Sequence, residues 1–417
     1  MIPMLDLKAE FMDIEDEVVS AVVRVLKSTR YVLGPHVVGF EDALRAYYRT
    51  RHAVGVASGT DALYLSLAAL GIGKGDEVIT TPFTFFATVE SIILMGASPV
   101  FVDIDPVSMN IDAARIEERI TPRTRAILPV HLFGLPCDMD EIVHVAKKHD
   151  LHIVEDCAQS FGATYKGKKT GTFGDTGCFS FYPSKNLGSY GDGGAVITGS
   201  DALHEQLVML RNHGSKASYV HEKIGFNSRL DEIQAAILSI KLKKVDEKNA
   251  WRRRLAALYT SLLKDHVICP PVSSDSTITS DSTITSNRAA RSAPSDRSAQ
   301  AAPSASSARS APAASSDQTV RAEFQDRASC YHQYTIRSPR REAIREALHK
   351  EDIASVVYYP IPVHLQKPIH AYGYAQGSLP HAERAANEVL SLPVYPGMKE
   401  EDVRRVSEVI IEKCLRG

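Results

Sequence analysis

The chain has 417 residues, more than one small core can organise, and a prior of about 100 to 200 residues per domain leads us to expect two folding units. Its 48 Lys and Arg nearly cancel its 50 Asp and Glu, so no whole-chain field draws it to nucleic acid or an anionic membrane, and a small molecule is the better match for a partner. No run approaches the roughly 18 apolar residues that span a bilayer, and the start, MIPMLDLKAEF, lacks the basic-then-apolar order of a secretion signal, so a cytoplasmic protein is expected.

From about residue 53, short apolar runs alternate with longer helical patterns: AVGVAS then GTDALYLSLAALG, EVITTP then FFATVESIILMG, PVFVDID, RAILPVHLF then DMDEIVHVAKKH, and LHIVEDC. Strand and helix taking turns at this spacing predict βαβ units and a largely parallel sheet covered on both faces, with ligands at the carboxyl ends of the strands. Gly59-Thr60-Asp61 opens one of these helices, and Gly71 or Gly73 follows its end. The apolar strand LHIV ends in Glu155-Asp156, and a second short strand, CFSF, runs directly into Pro183-Ser184-Lys185-Asn186.

From Asp201 to about Leu263 the pattern turns mainly helical and leads into a smaller unit. The reading places an N-terminal arm and a large domain in residues 1–245 and a small C-terminal domain in 246–417. That small domain is an α/β unit built from QYTIR, PRREAIREALHKE, ASVVYYP and EEDVRRVSEVIIEKCL. It is interrupted at Ser273 to Thr319 by two copies of DSTITS and a Ser/Ala/Pro/Arg-rich stretch without an aromatic residue. Such a composition cannot bury enough apolar surface to offset its ordering entropy, and predicts a disordered insertion. The six cysteines are scattered, without a CxxC pair or metal-ligand spacing, and are read as reduced and mostly buried; no metal is expected.

An acid and a lysine at strand ends suit the chemistry of pyridoxal 5′-phosphate (PLP). That cofactor needs a lysine amine to hold its aldehyde as a Schiff base, a carboxylate to keep its pyridine nitrogen protonated, and backbone N–H groups and hydroxyls for its phosphate. Lys185 and Asp156 suit the first two tasks, and the strand-to-helix turn Ser58-Gly59-Thr60-Asp61 suits the third. Phe85, after the next strand, is placed to stack on the ring. Each piece also has a plainer reading: a surface ion pair, an N-cap, a core aromatic. A nicotinamide dehydrogenase on the same kind of sheet needs GxGxxG after its first strand, where this chain reads GVASGTDAL.

Taken in order, SGTDAL, TPFTFFAT, VEDCAQSFGA, SFYPSKNLG, YGDGG, RNHG and GFNSRLDEIQAA resemble the DegT/StrS group of nucleotide-sugar aminotransferases, PLP enzymes of fold type I, and the match runs from IPMLDL to SLPVYP. The resemblance implies a large domain with a mainly parallel seven-stranded sheet. It also implies Lys185 as the catalytic Schiff-base lysine, Asp156 against the pyridine nitrogen and Gln159 against the ring and its 3-oxygen. Gly59, Thr60, Asp61 and Ser180 match phosphate contacts, Phe85 the stacking position, and Asn227 an asparagine that reaches the phosphate of a neighbouring subunit, so a homodimer with shared sites is implied. An N-cap before SRLDEIQAA is the plainer role for Asn227. Arg229, His332 and His364 are candidates for donor carboxylate, sugar or diphosphate. The expected reaction moves an amino group from glutamate to a keto sugar of a nucleotide sugar. NLGSYGDGG and RNHGSK resemble relatives that aminate a 3-keto hexose on dTDP or UDP; a 4-keto sugar, or a non-catalytic regulatory member of the group, is the alternative.

Overall fold

The computed structural model describes residues 1–271 and 324–415; the stretch 273–319 expected to be a disordered insertion lies outside the described residues. The N-terminal part builds one sheet. Its strands, with a short side hairpin counted in chain order, are β1 (His52–Val56), β2 (Glu77–Thr80), β3 (Ser98–Phe101), β4 (Thr124–Leu128), β5 (His152–Asp156), β6 (Thr164–Tyr165), β7 (Lys168–Lys169), β8 (Thr176–Ser180) and β9 (Gly194–Thr198). Seven of them form a sheet in the order β1-β9-β8-β5-β4-β2-β3. The pairs β2–β3, β2–β4, β4–β5 and β5–β8 are parallel, whereas β9 runs antiparallel to both β8 and β1. The reversal has a local cause. Parallel neighbours need a crossover, usually a helix, and the segment 181–193 between β8 and β9 contains none, so the chain turns straight back beside β8. That turn carries Lys185.

The helices of this part are α1 (Leu7–Met12), α2 (Glu15–Ser28), α3 (Pro35–Tyr48), α4 (Gly59–Ala69), α5 (Ala87–Leu94), α6 (Met139–Lys148), α7 (Asp201–Leu210), α8 (Glu232–Leu242) and α9 (Val245–Leu263). Of these, α3 to α7 pack against the sheet, which is why every residue of β2 and β9 is buried and why those strands read as unbroken apolar runs. Local sequence fixes the ends of the helices that matter here. The Ser58 hydroxyl accepts the Asp61 N–H at the start of α4, and Gly71, at φ 73°, follows its end as expected.

The region expected to be mainly helical after Asp201 also holds a small hairpin, β10 (Ser215–Ala217) and β11 (Val220–His221), entered through Gly214 at φ 68°. A Cβ at Gly214 would lie 1.8 Å from the Lys223 carbonyl oxygen, so only glycine permits that closure.

After the gap, β12 (Arg327–Ala328) pairs with β6, and β13 (Tyr334–Arg337) pairs antiparallel with β14 (Val389–Leu392). Helices Arg341–Lys350 and Glu400–Leu415 join them, and a second core forms from Leu255, Tyr259 and Leu263 of α9 with Tyr334, Ile336, Ile344, Leu390, Leu392, Val403 and Ile410. ASVVYYP, read as part of this unit, forms no strand of its own; Val356 alone bridges Ser391, and Pro360 and Pro362 limit further pairing. All six cysteines are free, four of them buried. Among the described residues no helix is long and apolar enough to cross a membrane.

Candidate active site

Asp156 is the last residue of β5, and because successive strand side chains alternate between faces it turns away from Glu155 and toward α5. There Thr88 Oγ1 donates to Oδ2 at 2.8 Å, and the Ala158 N–H donates to Oδ1 at 3.1 Å. Burial pushes this carboxyl above its ordinary range, while the Ala158 and Thr88 hydrogen bonds and the Lys185 charge pull the other way. Lys185 sits in the turn after β8, its N–H donating to the Tyr182 carbonyl at 2.8 Å. Desolvation brings its amine down to about 8 against the opposing pull of Asp156. A lysine set there exchanges between ammonium and nucleophilic amine near neutral pH, which a surface lysine does not do.

The N-terminus of α4 lies against the end of β8. A Cβ at Gly59 would lie 2.5 Å from Ser180 Cβ, so glycine is what lets helix and strand end meet. Thr60 is half-buried in the first turn, and the Asp61 carboxylate accepts from the Ser58 and Ser228 hydroxyls. Ser180 Oγ accepts from the Tyr182 N–H at 3.3 Å. First-turn N–H groups, hydroxyls and the positive end of a helix dipole thus converge where an anion is favoured.

Gln159 joins this group from the loop after β5. Its Oε1 accepts from the Phe133 N–H at 2.7 Å and its Nε2 donates to Tyr359 Oη at 3.0 Å. Phe85 is 59% exposed, its ring 6.3 Å from that of Tyr359, so it is a surface aromatic beside the site and not core. Tyr359 and Thr88 were not singled out in the sequence. The run ASVVYYP gave no sign that one tyrosine would reach Gln159, and Thr88 looked like ordinary helix.

The remaining candidates separate. Asn227 is exposed and bridges Asn212 through its backbone, so it does not serve as an N-cap for α8, whose N-cap is Asp231. Arg229 is close by, with Nη1 on Asn212 Oδ1 at 3.0 Å. His332 is buried, with Nδ1 3.0 Å from Oδ1 of Asn186, the neighbour of Lys185. His364 does not join them. It is fully buried, its Nε2 lies 3.1 Å from Glu383 Oε1, and its ring packs near Phe101 and Tyr374, because the Val363 N–H is tied to the Pro82 carbonyl and draws the residue into the core. In this structure His364 makes a buried hydrogen bond with Glu383, and no contact joins it to Lys185 or Asp156 among the described residues.

Behind Asp156, the side chains of His131, Glu155 and Cys157 bring one potential ligand atom each within 4.8 Å of one another, a grouping invisible in sequence spacing. Hydrogen bonds already occupy it. Glu155 accepts from the N–H groups of Gly171, Phe173 and Gly174, each at 2.7 Å, and burial pushes the Cys157 thiol up to about 11, which keeps its proton on.

A poised lysine, a buried carboxylate within its electrostatic reach and a helix N-terminus against Ser180 fit PLP as a donor set: amine for the aldehyde, carboxylate for the ring nitrogen, N–H groups for the phosphate. Comparison with known proteins agrees. A pleiotropic regulatory protein of Geobacillus stearothermophilus is 43% identical over 411 residues, 99% of this chain and 98% of that one. The UDP-N-acetyl-3-dehydro-alpha-D-glucosamine 3-aminotransferase of Acidithiobacillus ferrooxidans is 42% identical over 98% of this chain and 97% of its own. The crystal structure of Streptomyces venezuelae DesV in complex with a ketimine intermediate superposes with a TM-score of 0.85 at 41% identity, covering 100% of this chain and 99% of that one. A family profile matches residues 12–297 and 309–411, and the chain belongs to the DegT/DnrJ/EryC1/StrS aminotransferase family, whose cofactor is PLP.

Proposed function

We propose that this enzyme moves an amino group from glutamate to the 3-keto carbon of a hexose carried on UDP or dTDP, in the making of an amino sugar. The observation that carries this reading is Lys185 in the turn after β8, a desolvated amine lowered to about 8 within electrostatic reach of the buried Asp156 carboxylate. PLP, when bound, supplies an electron sink for the substrate carbon. Lys185 would hold it and, as a free amine, take a proton from that carbon and return it at Nζ. Asp156, fixed by Thr88 and Ala158, would hold the proton of the ring nitrogen. Gly59, Thr60, Asp61 and Ser180 would take the phosphate, with Phe85 and Gln159 against the ring. The choice of a 3-keto hexose is supported by the aminotransferase relative of A. ferrooxidans and by the dTDP-3-amino-3,4,6-trideoxy-alpha-D-glucose transaminase of S. venezuelae, 41% identical over 99% of this chain. The test is glutamate with a panel of 3-keto and 4-keto nucleotide sugars, products identified by mass and NMR. A 3-amino product is expected, and a preference for the 4-keto isomer overturns the choice of position.

The regulatory name of the G. stearothermophilus relative favours a second reading, a binding protein without turnover. The intact Lys185 and Asp156 weigh against it. Purified holoprotein whose visible absorbance shifts on adding glutamate is turning over; one that stays unchanged is not.

We further infer a cytoplasmic homodimer in which Asn227 completes the partner's phosphate site, and two domains meeting near residue 245. Supporting the dimer, Val19, Val23 and Leu26 form an apolar stripe on α2 that is 48%, 40% and 48% exposed. Tyr219 and Ile224, in and just after the β10–β11 hairpin, stand out at 96% and 94%.

A further inference from the structure

His332 is held in one tautomer by a chain of hydrogen bonds whose direction two carbonyls decide. Carbonyl oxygens only accept. The bond from Asn249 Nδ2 to the Phe161 carbonyl, at 3.0 Å, therefore fixes the Asn249 amide with Oδ1 toward Asn186. Asn186 Nδ2 donates to that Oδ1 at 2.7 Å and to the Cys330 carbonyl at 3.1 Å, which leaves Asn186 Oδ1 as an acceptor facing His332 Nδ1 at 3.0 Å. The ring proton therefore sits on Nδ1, and Nε2 carries a lone pair. Burial holds this histidine well below its usual pKa, and the Lys185 and Arg252 charges press it further, so the ring stays neutral. Among the described residues the ring's hydrogen bond is the one at Nδ1, and none reaches Nε2.

The position is next to the reacting group. Asn186, whose side-chain oxygen faces His332 Nδ1, follows Lys185 directly, and the Lys185 charge is felt at the His332 ring; the backbones of His332 and Gln159 are neighbours too, both lying against Gly134. We propose that His332 Nε2 is an acceptor-only subsite beside Lys185 that takes an O–H or N–H group of the substrate and turns away carboxylate and diphosphate oxygens. A neutral imidazole with its one proton already committed offers such oxygens only a lone pair, and repels them. Two sources share the required chemistry: a sugar hydroxyl and the ammonium of the amino donor. The inference rests on the aminotransfer reading above.

The experiment compares holoenzymes of wild type, His332→Phe and His332→Gln in single half-reactions followed by cofactor absorbance, one with L-glutamate and one with UDP-N-acetyl-3-dehydro-α-D-glucosamine on the aminated form. His332→Phe is expected to lower kcat/KM by about 10- to 100-fold in one arm only, with cofactor affinity and thermal midpoint retained, and His332→Gln to recover part of the loss through its amide oxygen. A loss confined to the sugar arm assigns a hydroxyl, and one confined to the glutamate arm assigns the ammonium. Equal losses in both arms, or none, overturn the subsite. Should His332→Phe fail to fold, ¹⁵N NMR of histidine-labelled wild type decides: an unprotonated Nε2 whose resonance moves on adding one substrate supports the proposal, and a protonated or unmoved Nε2 overturns it. A wild type that responds to neither substrate removes the aminotransfer reading itself; a responsive wild type with an unaffected His332→Phe removes only the subsite.

Discussion

Glu155 and Asp156 are adjacent carboxylates on one strand, and they occupy opposite situations. Glu155 is fully buried and accepts from His131 Nε2 and three backbone N–H groups of the loop 171–174. His131 is itself set, since the Cys137 N–H donates to its Nδ1 at 3.0 Å and leaves the ring proton on Nε2 for Glu155. Four donors satisfy this carboxylate completely, and it acts as a clamp. Asp156 has two donors, Thr88 and Ala158, and faces a lysine across the site, so part of its acceptor capacity is left for a ligand. The difference teaches that a buried carboxylate's role follows from how many of its lone pairs the protein has already filled.

The comparison can be broken most decisively on the Asp156 side. Lys185→Ala is expected to lower amino transfer by more than about a thousandfold with the fold intact by circular dichroism; retention of even a tenth of normal turnover, about 1.4 kcal/mol of barrier, would mean that another lysine does the work. Asp156→Asn should lower turnover by on the order of a hundredfold at nearly unchanged urea midpoint, because the amide keeps the shape and loses the charge. Glu155→Gln should do the reverse. Its NH₂ would meet an N–H donor in a buried site, at a cost of about 2 to 3 kcal/mol read as a lower urea midpoint, while folded protein keeps most of its turnover. If both variants lose activity alone, the contrast is wrong.

Smaller effects sharpen the picture. Mixing Lys185→Ala with Asn227→Ala subunits should return up to about a quarter of wild-type activity, since half of randomly paired dimers would hold one site free of both lesions; no recovery after verified exchange removes the shared site. On the cofactor-free protein, labelling of Lys185 by an acylating reagent should rise with pH and level off above about 8, because the folded site already releases its proton there. A rate still climbing toward 10 would place Lys185 in ordinary solvent. Least affected should be a chain in which 273–319 is replaced by a short linker, with turnover within about twofold of the parent, since closing a long surface loop costs only about 0.6 kcal/mol per doubling of length.

What was legible in the sequence was local. Strand periods, the Ser58 cap, Gly71 and the strand-end positions of Asp156 and Lys185 all depend on neighbours a few residues away, and the structure places them as read. The reversal of β9 was not legible, because an apolar period carries no direction. Nor were Thr88 on Asp156, Tyr359 on Gln159 or the Asn186–Asn249–His332 chain, whose partners are brought together by the fold from segments far apart. The surroundings of His364 were hidden for the same reason: its neighbours Phe101, Tyr374 and Glu383 come from distant segments.

The pairing of β1 with β9 has a consequence for the order in which the chain is made. Residues His52–Val56 leave the ribosome well before Gly194–Thr198, which among the described residues is their partner in the sheet. Until that segment emerges, β1 has an unpaired edge, while β2, β3, β4 and β5 can already pair with one another. Chain growth at about 5 to 20 residues per second makes that wait many seconds long. During it α3, which packs on β1, is the nearest cover for the strand. The turn that carries Lys185 lies just before β9, so the strand that ends the wait also closes the loop around the reacting amine, and the sheet is completed in the same event.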